Sequence, residues 1–280
     1  MPILSGEGVL PLAVVRERLL QAVEKLAGSD EYERFLTYCS RFPAYSPRNL
    51  LLLYSQASAR GFEPTRVMGF NAWKALGRHV KRGELGLRIC APVLRKEYGV
   101  DKDEVRLSCF RMISVFDVSQ TDGAELLEPL KPELLSGQSN SECFEFVSEV
   151  LGAMGFALEI VKLEGCNGRT DFVRRTVSIS AGLPELQKFK TILHELAHAK
   201  LHEGFVGDVT LAELEAESFA FMVFASLGLD SGPFSIPYLV RWCQGVVGED
   251  LLGATLRSMN TAREFMLLLE EWNVQSKMPA

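Results

Sequence analysis

Five residues, His194-Glu195-Leu196-Ala197-His198, set the strongest condition on how this chain can fold. Two imidazoles four positions apart can grip one ion on an α-helix, where that spacing amounts to about 6 Å along the axis and about 40° around it. The flanks agree: Pro184 precedes a stretch of helix formers, and Leu193, Leu196, Ala197 and Leu201 supply a packed side. Glu195 then stands beside the ion, where a carboxylate can take a proton from zinc-activated water and hand it to a leaving amine. The chain holds four histidines, and three of them, His194, His198 and His202, fall within nine residues. Core histidines scattered by chance do not cluster in this way. The segment predicts a buried helix carrying two ligands of a single Zn2+ ion and a general base.

A catalytic zinc takes three protein ligands and leaves a position open. Candidates for the third are His202, Glu203, Asp208, Glu213, Glu215 and Glu217. His202 lies about 12 Å along the helix from His194, too far to close on the same ion, and reads as a polar residue interacting with the helix C-terminus. Gly204 and Gly207 mark a turn, after which 211–227 form a second helical stretch. On it Glu213 and Glu217 share a face while Glu215 points away. Glu213 is the preferred ligand and Glu217 the alternative. With Glu213 on the ion, Glu217 can accept a hydrogen bond from a ligand histidine.

The stretch 191–227, with its His-Glu-Leu-Ala-His helix followed by Glu213-Leu214-Glu215-Ala216-Glu217-Ser218-Phe219-Ala220, resembles the ImmA/IrrE and ArdC branch of gluzincin metallopeptidases. The resemblance matches Glu213 to the glutamate that opens the family's second motif and Glu217 to the polar residue four positions on. It implies a minimal zincin fold, a small twisted sheet packed by the active-site helix and the glutamate helix. Suitable parts precede the motif: a helix over 141–154, a strand over 157–163, and a hairpin of 171–173 with 176–180 around Arg174-Arg175. In this class a strand beside the active-site helix pairs with extended substrate, and Val177 to Ser180 is the candidate edge.

A second fingerprint lies earlier. Ser46-Pro47-Arg48-Asn49 opens a Leu-rich helix, with Ser46 as N-cap and Pro47 in its first position. Met68-Gly69-Phe70-Asn71-Ala72-Trp73 follows, then Gly77-Arg78-His79-Val80-Lys81-Arg82-Gly83-Glu84, then strand-like 87–94. This order and spacing over residues 45–93 resembles the amino-terminal single-stranded-DNA-binding domain of the ArdC antirestriction family, with Leu85 where that pattern carries a basic residue. It points to Arg48, Asn49, Trp73, Arg78, Lys81 and Arg82 as DNA-binding residues.

Charge supports the same division. Residues 1–120 carry 18 Lys/Arg against 13 Asp/Glu, and residues 121–280 carry 12 against 23, although the whole chain is acidic at −6. Between Arg60 and Lys96 there are nine basic and two acidic residues, interleaved with Phe62, Phe70 and Trp73. Cations that track phosphates beside aromatic faces that stack on bases suit unpaired strands.

The 280 residues, 47% hydrophobic, suffice for two cores. The expectation is an α+β protein: an amino-terminal nucleic-acid-binding domain over 1–125, a linker over 126–140 punctuated by Pro129, Pro132, Gly137 and Asn140, and a peptidase domain over 141–280. Residues 105–112 and 114–118 read as a strand pair, 14–26 and 32–38 as helices, and 238–247 with 251–272 as helices over the metal site. Tyr238 and Arg241 are possible oxyanion donors. No apolar run reaches a spanning length, and six scattered cysteines without a Cys-x-x-Cys pair suit free thiols in the cytoplasm. The implied partners are a protein substrate, such as a helix-turn-helix repressor, and single-stranded DNA, with no membrane. The rival expectation is a DNA-binding antirestriction or protective protein whose metal site is structural or vestigial.

Overall fold

The computed structural model describes residues 12–26, 30–42, 45–98, 103–126, 140–229 and 248–276. They form a mixed α+β fold that divides into two compact units, Met1–Ala22 with Arg48–Pro129, and Val23–Pro47 with Leu130–Ala280. The linker expected over 126–140 lies almost entirely outside the described residues, as do the helix expected over 238–247, Tyr238 and Arg241.

Helix α1 spans Leu12–Leu26. In the first unit, helix α3 (Pro47–Ser58) begins where the Ser-Pro pair predicts, and Leu50, Leu51, Leu52 and Leu53 are all buried. A three-stranded antiparallel sheet joins β1 (Val67–Gly69), β4 (Asp103–Asp117) and β3 (Leu87–Tyr98) in the order β1-β4-β3. The strand pair expected over 105–112 and 114–118 is therefore one continuous strand, and its hairpin partner is the segment 87–98. Nothing between Met112 and Ser114 turns the chain, because Ile113 is itself a ladder residue opposite Ile89. Helix α4 (Phe70–Ala75) carries the tryptophan, and β2 (Arg78–Val80) pairs with β5 (Thr121–Gly123). Buried Asp117 organises the junction. One carboxylate oxygen accepts from the backbone N–H groups of Thr65 and Arg66, the other from Ser119, while Gln120 reaches from the same turn to the Glu84 carboxylate.

The second unit contains helix α2 (Asp30–Ser40), which packs on α7 (Val209–Ser226). The Tyr32 hydroxyl stands 3.3 Å from that of Ser218 and 3.1 Å from that of Thr255. Helix α5 (Asn140–Ala153) leads into β6 (Ala157–Val161), followed by β7 (Gly168–Asp171), β8 (Thr176–Ser180) and α6 (Glu185–Leu201). The sheet order is β6-β8-β7, parallel between β6 and β8 and antiparallel between β7 and β8. This corrects the candidate edge: residues 177–180 belong to the central strand, hydrogen-bonded on both sides. Val177, Ser178 and Ile179 are correspondingly buried in succession, the mark of a strand covered on both faces. Of the two edges, β7 is the one that lies along α6. Helix α7 is buried on nearly every side, and α8 (Gly248–Ser276), which includes the helix expected over 251–272, packs against it.

Candidate functional site

Helix α6 holds His194 and His198 on one stripe, and α7 brings Glu213 to it. The Nε2 atoms of the two imidazoles are 3.1 Å apart. The Glu213 carboxylate approaches His194 Nε2 at 3.3 Å and His198 Nε2 at 3.5 Å. Among the described residues this is the one cluster of three or more such side chains that could hold a metal ion. The spacing fits one: ligand atoms about 2 Å from a tetrahedral zinc stand about 3.3 Å from each other.

The opposite nitrogens of the imidazoles face different partners. His194 Nδ1 lies 3.2 Å from Glu217 Oε2, and the other oxygen of Glu217 is 2.7 Å from the buried Lys190 ammonium. Sequence spacing anticipates the Glu217 contact but gives no sign of Lys190, one turn before His194 on α6. His198 Nδ1 lies 2.9 Å from Nδ1 of His202, the C-cap of α6. His202 is buried, and its Nε2 is 3.3 Å from Glu215, which the Arg257 guanidinium also holds. His202 is thus a partner of His198 and not merely a polar cap, and Glu215, 1% exposed, points away from the cluster without pointing to solvent. The signal was present in the sequence: His202 is eight residues from His194 but only four from His198.

The electrostatics of the two imidazoles pull in opposite directions. Burial disfavours the charged form of His194, yet the hydrogen bonds of Glu213 and Glu217 outweigh it and push the pKa up to about 9. Burial and the neighbouring His194 charge push His198 down to about 4. The His194 hydrogen bond holds the Glu213 carboxyl below its usual range.

Glu195 is buried beside the cluster without joining it. Its Oε2 accepts from the Thr170 hydroxyl at 2.7 Å, a contact the sequence did not announce. Burial raises its pKa, against the lowering effects of His194 and Thr170. Gly168 explains how β7 comes this near: a Cβ there would lie 2.7 Å from Thr191 Cγ2 and 2.8 Å from both Cγ and Oε1 of Glu195.

The DNA-binding residues inferred from sequence separate into two groups. Trp73 is fully buried and donates from Nε1 to the Phe116 carbonyl at 2.9 Å, so it has no face for a base. Asn49 spends its amide on Cys90, donating to the carbonyl and accepting from the N–H, both at 2.9 Å. The Arg78 guanidinium donates to Thr121, Gly123 and Ala124 and ties down β5. Trp73 is thereby corrected to a structural role, and Asn49 and Arg78 spend most of their hydrogen-bonding groups inside the fold, which leaves them less to offer a nucleic acid than an exposed cation. Arg48, Lys81 and Arg82 are exposed. Lys81 donates to the Ser119 carbonyl at 3.0 Å and stands 3.7 Å from the Asp122 carboxylate, on an ammonium with three donors. The exposed ring of the segment is Phe70, at 54%.

A mixed α+β chain with small sheets and a His-His-Glu cluster of this geometry is a protein with a zincin-like site. Residues 15–116 match the family described as the N-terminal domain of anti-restriction factor ArdC. The whole chain has the fold of the antirestriction ArdC protein from R388 plasmid in its Mn(II)-bound structure, with a TM-score of 0.56 at 18% identity over 94% of this chain and 98% of that one. The metal-free structure of the same protein gives 0.49 at 18% identity over 82% and 86%. An uncharacterized protein of Bacillus anthracis is 24% identical over 85% of this chain, which spans only 47% of that relative's length.

Proposed function

We propose that this chain is a zinc-dependent metallopeptidase with a single-stranded-DNA-binding domain, and that it cleaves a regulatory protein such as a helix-turn-helix repressor. The observation that supports the peptidase reading is a buried Glu195 beside three converging ligand groups and outside their set. A structural zinc normally takes a fourth protein ligand and has no use for such a base. His194, His198 and Glu213 would hold the ion, and an ion in that place supplies Lewis acidity, polarising a carbonyl and making water more acidic. Glu195, raised in pKa by burial, is suited to take the proton as water adds to the peptide carbonyl carbon. When the C–N bond breaks, it returns that proton to the leaving amine. Thr170 keeps the carboxylate aimed while this happens. An extended substrate would pair with the edge strand β7, which runs over Glu195.

The Glu195→Gln variant tests this. It should bind one zinc per chain, measured by mass spectrometry of the purified protein, and lose cleavage of a co-expressed repressor at least a hundredfold, in line with the 10²- to 10⁴-fold contribution of general acid–base catalysis. Undiminished cleavage would remove the reading.

The ArdC match over residues 15–116 favours a second reading, a DNA-binding antirestriction or protective role in which the metal is structural. On that reading Glu195→Gln leaves the phenotype intact, and charge reversal at Arg48, Lys81 and Arg82 is the damaging change. Functionally the chain is read as a DNA-binding part over 1–125 and a peptidase part over 141–280, with α2 packing in the second compact unit.

A further inference from the structure

We infer that His202 is a positioning residue of the metal centre, fixing the tautomer and ring plane of His198 through a relay that ends at Arg257 on α8. The inference rests on the metal-site reading above. His198 turns Nε2 toward Glu213 and His194, so a lone pair is required there and the ring proton must sit on Nδ1. That atom is 2.9 Å from His202 Nδ1, and two ring nitrogens at this distance share one hydrogen. His198 donates it, His202 accepts, and the proton of His202 is therefore on Nε2, 3.3 Å from Glu215 Oε2. The remaining oxygen of Glu215 accepts from Arg257 Nε at 2.9 Å. Every donor and acceptor in the series has its direction fixed by the one before it.

The two ligand imidazoles are consequently held in different ways. His194 meets a carboxylate directly, and Lys190 balances the charge of that carboxylate. His198 meets another imidazole, with the carboxylate one link further away. The three rings, two on α6 and the third at its C-cap, stand in a ladder with centroids 4.8 and 4.9 Å apart, so a tilt of His202 is transmitted to His198. Partners of this kind orient metal-binding histidines and typically change affinity by about 10- to 100-fold when removed. His202 does not act as a ligand, because both of its nitrogens are committed on the far side of His198 from the cluster.

The test measures zinc and cobalt(II) affinity of the full chain by competition with a chromophoric chelator, together with the visible absorption of the cobalt form. His202→Leu should bind about 10- to 100-fold more weakly and shift the cobalt bands. His202→Asn places an amide oxygen where Nδ1 stands and should recover most of that affinity and the original bands. Arg257→Gln changes a half-exposed side chain at the outer end of the relay and should weaken binding severalfold. Wild-type affinity and spectrum in His202→Leu overturn the inference, and if that variant fails to fold, wild-type behaviour of Arg257→Gln does so. A native chain that takes up neither ion overturns the metal-site reading itself, an outcome distinct from equal binding by native and variant chains.

Discussion

At the scale of single residues, metal ligands compete with a proton. His194 is raised to about 9, so in the metal-free chain it is protonated throughout the neutral range, whereas His198, lowered to about 4, is already neutral there. Glu213, held below its usual range, is already ionised. An ion needs the neutral imidazole, so uptake at pH 7 should release at least about one proton, that of His194, with any further fraction coming from water acidified by the ion. Apparent affinity should then rise at least about tenfold per pH unit from 7 toward 9 and less steeply above, where His194 has no proton left to displace. Calorimetry in buffers of different ionisation enthalpy counts the proton, and a count of zero at pH 7 would mean that His194 does not hold it. At this scale the sequence was most legible where chemistry dictates spacing: the ligand and base positions follow from a helix pitch. It was least legible where a side chain's surroundings decide its use. Arg78 and Arg82 look alike in a basic run, and only the carbonyls around Arg78 tell them apart.

Among elements, the approach of β7 to α6 depends on one missing methyl group. Gly168→Ala would put a Cβ into Thr191 and Glu195, and the backbone of β7 and the helix would have to separate. Such overpacking costs about 1–3 kcal/mol, which for a unit of this size lowers the melting temperature by roughly 2–4 °C per kcal/mol. Glu195 lies outside the ligand set, so zinc affinity should stay close to that of the native chain while peptidase turnover falls. Thermal unfolding and chelator competition on the same variant check both, and a variant with native melting and native turnover would contradict the geometry. The elements themselves were largely legible: α3, α5, α6 and α7 follow from caps, Pro positions and apolar periodicity. Strand order was not. A period of two says which residues alternate and is silent on which strands neighbour them, so the central β8 was expected at an edge. Helix α7 was read correctly in that Glu215 leaves the face of Glu213 and Glu217, but its partners His202 and Arg257 come from other elements and left no mark in the spacing.

Across the whole molecule, charge divides with sequence position, basic over 1–120 and acidic over 121–280, and packing does not follow that line, since α2 joins the second unit through partners 186 and 223 residues away. Pairings at such separation leave no local pattern to read. The acidic balance of the whole, −6, opposes a polyanion, so the DNA binding proposed above requires local cations that are exposed enough to displace counterions. Arg48, Lys81 and Arg82 meet that condition better than Arg78. Binding to single-stranded oligonucleotide should therefore weaken with salt, and each phosphate that is no longer neutralised should reduce the slope of log K against log salt by about 0.7. Neutralising all three cations to Gln should flatten the slope by about 2, while Phe70→Ala, which removes an exposed ring and no charge, should lower affinity by about 1–3 kcal/mol with the slope unchanged. Fluorescence anisotropy across a salt series separates the two effects. A slope indifferent to the triple substitution would move the DNA face away from these residues, and a flattened slope in Phe70→Ala would show that its effect is on the fold and not on stacking.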